Sequence, residues 1–253
     1  MTTFRTGDDY FHKAAMYSLL ADYYKYQDPN LHVKYYHKHL RNLRKAIQFM
    51  HDGHPITRPG SGEARLRFLH ASPDVDKVDI YINGSRVLRD FDYKNSCSHM
   101  QLPPGRYQID IYPAGQSVST VISKKITVAP GKIYTSAVIG ISPKLRLLTF
   151  SDQPYTPAGE TKARFIHLCP DAPAVDLAVK DRDVIFPDVS FRQATGYLGM
   201  MPMTVSLEAR TSGTDEAILV IPELKLQPNI AYTIFAVGTV EGKRPLEAIL
   251  LPE

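Results

Sequence analysis

The chain has 253 residues, a formal net charge of +4, 43% hydrophobic residues and 22% charged residues. That much apolar surface offsets ordering entropy, so the bulk of the chain is not disordered. The charge is too small to signal specific nucleic-acid binding, and two cysteines are too few for a disulfide scaffold.

The first 52 residues read as a helical hairpin. A first helix is expected from Asp8 or Asp9 to about Tyr26. Tyr10, Ala14, Tyr17, Ala21 and Tyr24 form one row on it, and Met16, Leu20 and Tyr23 form another. A helix apolar on more than one side needs more than one neighbour. Asp28 followed by Pro29 reads as an N-cap with proline at the first helical position, opening a second helix to about Met50. Val33, Tyr36, Leu40, Leu43, Ile47 and Met50 make a heptad-like seam on it. Lys34, Lys38, Arg41 and Lys45 form a basic row on another face, with no acidic residue between Asn30 and Met50. Gly53 with Pro55 beyond it is expected to stop the helix.

Two surfaces follow from this pattern. Tyr10, Tyr17, Leu20, Tyr24 and Leu43 are the expected assembly interface, covered by a β domain or, preferentially, by a second copy of the chain. Lys34, Lys38, Arg41 and Lys45 are the expected contact for an anionic polymer. Six of the nine histidines fall here: His12, His32, His37, His39, His51 and His54. No HExxH spacing accompanies them, so they are read as exposed polar positions rather than a zinc site. No export signal or transmembrane segment is apparent, and cytoplasmic synthesis is the expectation.

Residues 53–63 are rich in Gly and Pro and read as a linker. Beyond it the sequence repeats. Arg67-Phe68-Leu69-His70-Ala71-Ser72-Pro73-Asp74 matches Arg164-Phe165-Ile166-His167-Leu168-Cys169-Pro170-Asp171, and Val78-Asp79-Ile80 matches Val175-Asp176-Leu177. The expected organisation is a first repeat over 64–150, a linker over 151–162 and a second repeat over 163–253.

Each repeat reads as all-β. Val78, Ile80 and Ile82 alternate with Asp79 and Tyr81, and Asn83-Gly84 marks a two-residue hairpin turn. About seven such runs per copy fit an immunoglobulin-like β-sandwich. Val128-Ala129-Pro130-Gly131-Lys132-Ile133-Tyr134 recurs as Leu226-Gln227-Pro228-Asn229-Ile230-Ala231-Tyr232. Tyr134 and Tyr232 therefore read as tyrosine corners, each phenol bonding back to the backbone.

The Arg-Phe-Leu-His-Ala-Ser-Pro-Asp block and Val-Asp-Ile-Tyr-Ile-Asn-Gly resemble the start of the bacterial "domain of unknown function 4397" family, as two tandem copies over about 64–253. The resemblance implies β-sandwich modules of cell-envelope proteins without enzymatic activity, and hence a cell or spore surface location. It supplies no catalytic residues.

Candidate chemistry within the repeats is sparse. His70 and His167 are expected to be half-buried and bonded to the turn backbone, with Asp74 and Asp171 capping free amides after Pro. Ser72, His70 and Asp74 lack the glycines of a nucleophile elbow, and Cys169 stands where Ser72 does in the other copy. Asp74, Asp76 and Asp79 lack the loop chemistry of a calcium site and read as solvated turn acids. Cys97 and Cys169 occupy non-equivalent repeat positions and are expected as reduced thiols. No metal, cofactor or catalytic residue is assigned. The expected function is a non-enzymatic structural or adhesion-type module, self-assembling as a homo-oligomer through its helices, with a surface protein as a further partner. The alternative is a binding module for a polysaccharide or other anionic polymer.

Overall fold

A computed structural model describes residues 7–51, 62–116 and 120–253. Gly53, Pro55, His54 and most of the 53–63 linker lie outside these residues, as do the side chains of Ile47, Met50 and His51. The chain divides into two compact units, Met1–Arg58 and Pro59–Glu253.

The first unit is an antiparallel helical hairpin, α1 (Gly7–Tyr24) and α2 (Pro29–His51). Asp28 caps α2: its Oδ1 accepts the amides of Asn30 at 2.9 Å and Leu31 at 3.1 Å, satisfying two donors of the first turn. Ala14, Ala21 and Ala46 are buried between the helices and let the backbones approach closely.

The second unit is all-β, with sixteen strands among the described residues. In chain order they are β1 (Ala64–His70), β2 (Lys77–Ile82), β3 (Ser85–Asp92), β4 (Met100–Leu102), β5 (Gly105–Pro113), β6 (Ile122–Val128), β7 (Ile133–Ile139) and β8 (Arg146–Asp152). A second octet repeats them: β9 (Thr161–His167), β10 (Val175–Val179), β11 (Val184–Val189), β12 (Leu198–Met200), β13 (Met203–Thr211), β14 (Ala217–Leu226), β15 (Ala231–Val237) and β16 (Glu247–Pro252). Ser151 and Asp152 end β8, and Thr161 and Lys162 open β9, so the link between octets is narrower than the 151–162 expectation.

Each octet makes two four-stranded sheets of identical order. The first pair is β4-β1-β7-β8 with β3-β2-β5-β6, and the second is β12-β9-β15-β16 with β11-β10-β13-β14. β1 runs parallel to β7, and β9 to β15, while the other pairings are antiparallel. Each sandwich has its own core. Leu66, Phe68, Val78, Ile80, Ile109, Ile111 and Leu147 fill the first, and Phe165, Val175, Leu177, Leu207, Ile221 and Ile234 fill the second.

Asn83 and Gly84 have φ of 49° and 80°, the left-handed pair that a two-residue hairpin turn needs. Gly140 and Gly238 end β7 and β15 at φ of 93° and 98°. A Cβ there would sit 2.7 Å from the Lys144 carbonyl oxygen and 2.1 Å from that of Pro245, so only glycine admits the loop.

A third core joins the two octets. Leu69, Ala71, Ala137 and Ile139 pack against Ile166, Leu168, Phe235 and Val237. These residues lie on the opposite faces of β1, β7, β9 and β15 from the sandwich cores, so these strands are buried on both sides. Their second face meets the other octet rather than water.

Candidate functional site

The hairpin uses its tyrosine row internally. Tyr17 and Tyr24 stack on Tyr35 of α2, with centroids 6.2 and 5.6 Å apart. Lys38 lies 5.2 Å from the Tyr17 ring and 5.3 Å from that of Tyr35, and Lys45 lies 5.3 Å from Tyr10. This corrects two expectations. Tyr10, Tyr17 and Tyr24 are half-buried against α2 or its lysines, rather than presented to a partner. The basic row is not one open stripe: Lys34 and Arg41 are exposed, but Lys38 and Lys45 rest on aromatic faces.

The histidines correct a third. His32 Nδ1 bonds the Ala21 carbonyl at 2.8 Å and His39 Nδ1 bonds that of Ala14 at 2.9 Å. They are half-buried cross-helix clasps, and no group of three potential metal ligands gathers among the described residues. Because α2 turns His32, Tyr35, His39 and Ala46 toward α1, the apolar seam is left outward. Val33, Tyr36 and Leu40 remain 50%, 49% and 43% exposed, and Leu19 on α1 remains 72% exposed. Leu20 and Leu43 are half-buried.

In the β unit, the His-x-Ser/Cys-Pro-Asp turns pin one end of the sheets. His70 and His167 are fully buried, deeper than expected. Each accepts an amide at Nδ1, from Ser72 at 3.4 Å and Cys169 at 3.2 Å, and His167 Nε2 bonds the Pro173 carbonyl at 3.0 Å. Burial pushes His70 down to about 4 and His167 also down, so both rings are neutral at pH 7. The Ser72 hydroxyl has its one proton within reach of two acceptors, Asp74 at 2.9 Å and the Gly140 carbonyl at 2.8 Å, and the Cys169 thiol donates to Asp171 at 3.1 Å. Asp74 takes the Ser142 amide at 2.6 Å, and Asp171 takes those of Val240 and Glu241. These amides belong to the β7–β8 and β15–β16 loops, not to the segment following Pro.

Asp79 and Asp176 are buried, not solvated. Asp79 accepts the Asp90 amide at 2.8 Å and Asp176 that of Asp188 at 2.7 Å, holding bulges at which Asp90 and Asp188 take φ of 48° and 49°. Both cysteines are free thiols. The Cys97 sulfur accepts the Phe68 amide, as the Thr195 hydroxyl accepts that of Phe165.

The corner tyrosines act as acceptors. Tyr134 Oη receives the Ala129 amide at 3.1 Å and Tyr232 Oη that of Gln227 at 3.2 Å. Replacing either by Phe is expected to leave that amide without its partner and cost about 1–3 kcal/mol, read as a lower urea midpoint. An unchanged midpoint in both variants would remove the corner from the account of stability.

Sequence reasoning missed a buried ionic cluster between the octets. Arg67 donates through Nε to Thr135 at 2.8 Å and through Nη1 to the Pro252 carbonyl at 2.6 Å. Arg164 donates to Thr233 at 2.9 Å, to the Ser151 carbonyl at 2.8 Å, and to Asp152 and Glu253. The Thr135 hydroxyl donates to Asp152 at 2.6 Å. Burial, with Glu253 adding to it, pushes the Asp152 carboxyl up to about 6. The repeated arginine was visible in the sequence as Arg67 and Arg164, but not its direction.

The same junction is bridged at its other end. Lys94 pairs with Glu247 at 2.6 Å, and Arg244 pairs with Asp76 while its guanidinium lies 4.2 Å from the Tyr93 ring centroid. A separate cleft of about 320 Å³ is lined by Lys144, Arg146, Phe191, Arg192 and Pro170, among others.

Residues 64–178 match the family described as domain of unknown function 4397, which spans the first octet, β9 and most of β10. No curated protein matches the chain. Among solved structures, the C-terminal domain of AlgF from P. aeruginosa is similar at 17% identity and a TM-score of 0.28, over 36% of this chain and 98% of that one. A family CBM26 module of Eubacterium rectale Amy13K, solved in complex with maltoheptaose, is similar at 10% identity and a TM-score of 0.22, over 75% and 97%. A cell adhesion protein so designated from Bacteroides fragilis is similar at 9% identity and a TM-score of 0.19, over 75% and 97%. Likenesses this slight carry no inference about ligand or activity.

Proposed function

We propose that the chain is a non-enzymatic structural or adhesion-type module of the bacterial cell or spore surface, in which the helical hairpin assembles copies and the β unit is the displayed body. The observation that carries the assembly reading is the uncovered apolar seam. Leu19, Val33, Tyr36 and Leu40 lie outside the α1–α2 contact, on helices of 18 and 23 residues. By helical periodicity Val33, Tyr36 and Leu40 project from the flank of α2 away from Lys34, Lys38 and Lys45. An apolar face of this kind, rimmed by charge, is seldom left in water. Pairing it with the same face of a second copy gives a four-helix arrangement with twofold symmetry. The surface location rests on the family resemblance.

We also infer that residues 161–253 are a second copy of the family domain. The identical sheet orders, the paired corner tyrosines and the paired His turns support this. The non-enzymatic reading draws on the buried neutral histidines and on a Ser72 hydroxyl committed to Asp74 and Gly140. An anionic-polymer contact along Lys34, Lys38, Arg41 and Lys45 is less favoured, because two of those cations are engaged with tyrosine rings.

Light scattering over a concentration series tests assembly. The full chain is expected to form oligomers. Leu19→Asp with Leu40→Asp, and a chain starting at Glu63, are expected to be monomeric with the β unit folded. A full chain that stays monomeric at high concentration overturns the reading.

A further inference from the structure

The two octets allow a comparison of equivalent positions within one molecule. Lys94 and Arg192 correspond: both have positive φ, 69° and 73°, and both donate their amides at 2.7 Å to the carbonyls of His70 and His167. Glu247 and Arg146 also correspond. Glu247 opposes Val237 at the end of β15, and Arg146 opposes Ile139 at the end of β7. On one side of the junction the pair is Lys94 with Glu247, an ion pair at 2.6 Å. On the other side the same two positions hold Arg192 and Arg146, two cations lining one cleft with Lys144.

No described acid forms an ion pair with them. Among the described residues Lys144, Arg146 and Arg192 make no salt bridge, and Arg192 instead lies 5.4 Å from the Phe191 ring centroid. Asp76, which neutralises Arg244 on the first side, is replaced on the second by Pro173 at the repeat offset of 97 (76 + 97 = 173). The nearest carboxylate in sequence to the cleft, Asp171 beside Pro170, is occupied by the Val240 and Glu241 amides. Three exposed cations thus converge on a cleft of about 320 Å³ with an apolar wall of Phe191 and Pro170. That volume falls within the range of small organic ligand sites. Like charges drawn together without a counter-charge attract anions.

We propose that this cleft binds an oxyanion, either free or carried as the acidic group of a saccharide. The two arginines supply planar donors for a carboxylate, sulfate or phosphate, and Lys144 supplies a third charge. The site is independent of assembly through the hairpin.

The test is calorimetric titration of the full chain with sodium sulfate and, separately, with a galacturonate oligomer, using a neutral galactose oligomer as control. Saturable binding of at least one anion, weakened by added sodium chloride, is expected. Preference for galacturonate over sulfate assigns the saccharide source, and equal binding assigns a free oxyanion. Arg146→Glu rebuilds on this side the ion pair of the other and is expected to weaken binding at least tenfold without lowering the thermal midpoint. Lys144→Gln is expected to weaken it severalfold, and Arg244→Gln to leave it unchanged. Absence of saturable anion binding, or binding that Arg146→Glu leaves intact, overturns the proposal.

Discussion

Arg164→Ala is expected to cost the β unit about 3–5 kcal/mol, the usual loss when one member of a buried ionic cluster is removed. The side chains of Asp152 and Glu253 are fully buried and Arg164 is 5% exposed, so water cannot replace the lost guanidinium. Two carboxyl groups would then share Arg67, which gives Nε to Thr135 and Nη1 to Pro252 and leaves only Nη2, 3.8 Å from Glu253, to face them. Arg164→Lys keeps the charge but loses the fork that reaches Thr233, Ser151 and Asp152 together, so it should recover only part of the loss. Urea unfolding of the full chain, followed through the β signal, gives both values. A loss under about 1 kcal/mol for the alanine variant would mean that the cluster is solvated in the folded protein.

The cluster also marks where sequence reading stopped. The strands were legible because turns such as Asn83-Gly84 and alternations such as Val78, Ile80 and Ile82 are local. The correspondence between the octets' sheet orders was foreshadowed by the eight-residue blocks that recur in the sequence. The stacking of the octets was not, because it depends on the second face of β1, β7, β9 and β15. One signal was available: Ile133–Ile139 and Ala231–Val237 contain no charged residue, the mark of strands buried on both sides. Arg67 and Arg164 interrupt the same pattern in β1 and β9 and disguised it, since a strand arginine ordinarily faces water.

In the hairpin, the cap at Asp28 and the start of α2 at Pro29 were readable from residue type. The rotation of α2 was not. Val33, Tyr36 and Leu40 form the wider apolar stripe by spacing, yet alanine at 14, 21 and 46 permits a closer approach, and His32 and His39 gain backbone partners there. Close packing with hydrogen bonds outweighed the wider apolar stripe. The cationic cleft was also beyond local reading, because Arg146 and Arg192 belong to different octets and meet only through the stacking.

Stability should fall as pH drops from about 6.5 to about 4, and His70 should account for much of the fall. Its native pKa is lowered from 6.5 to about 4, chiefly by burial, with Arg244 adding to the shift and Asp74 and Asp92 opposing it. Above pH 6.5 the ring is neutral in both states and contributes no difference. Between 6.5 and 4 the unfolded chain binds a proton that the native ring refuses, so stability is lost, by about 3 kcal/mol at the lower limit. His167 and the partly exposed His99 shift the same way and add to the loss. Asp152 acts in the opposite sense. Its carboxyl, pushed up from 3.8 to about 6, binds a proton in the native state first, so its contribution to stability is present below 3.8 and lost as pH rises through 6. The wild-type profile is therefore shallower than the histidines alone would give. His70→Asn retains an acceptor for the Ser72 amide but cannot titrate, and should lose about 3 kcal/mol less than wild type across this window. Asp152→Asn removes the compensation and should steepen the profile. Urea midpoints at pH 7, 6, 5 and 4 measure each slope, and parallel profiles for wild type and His70→Asn would exclude His70 as the titrating group.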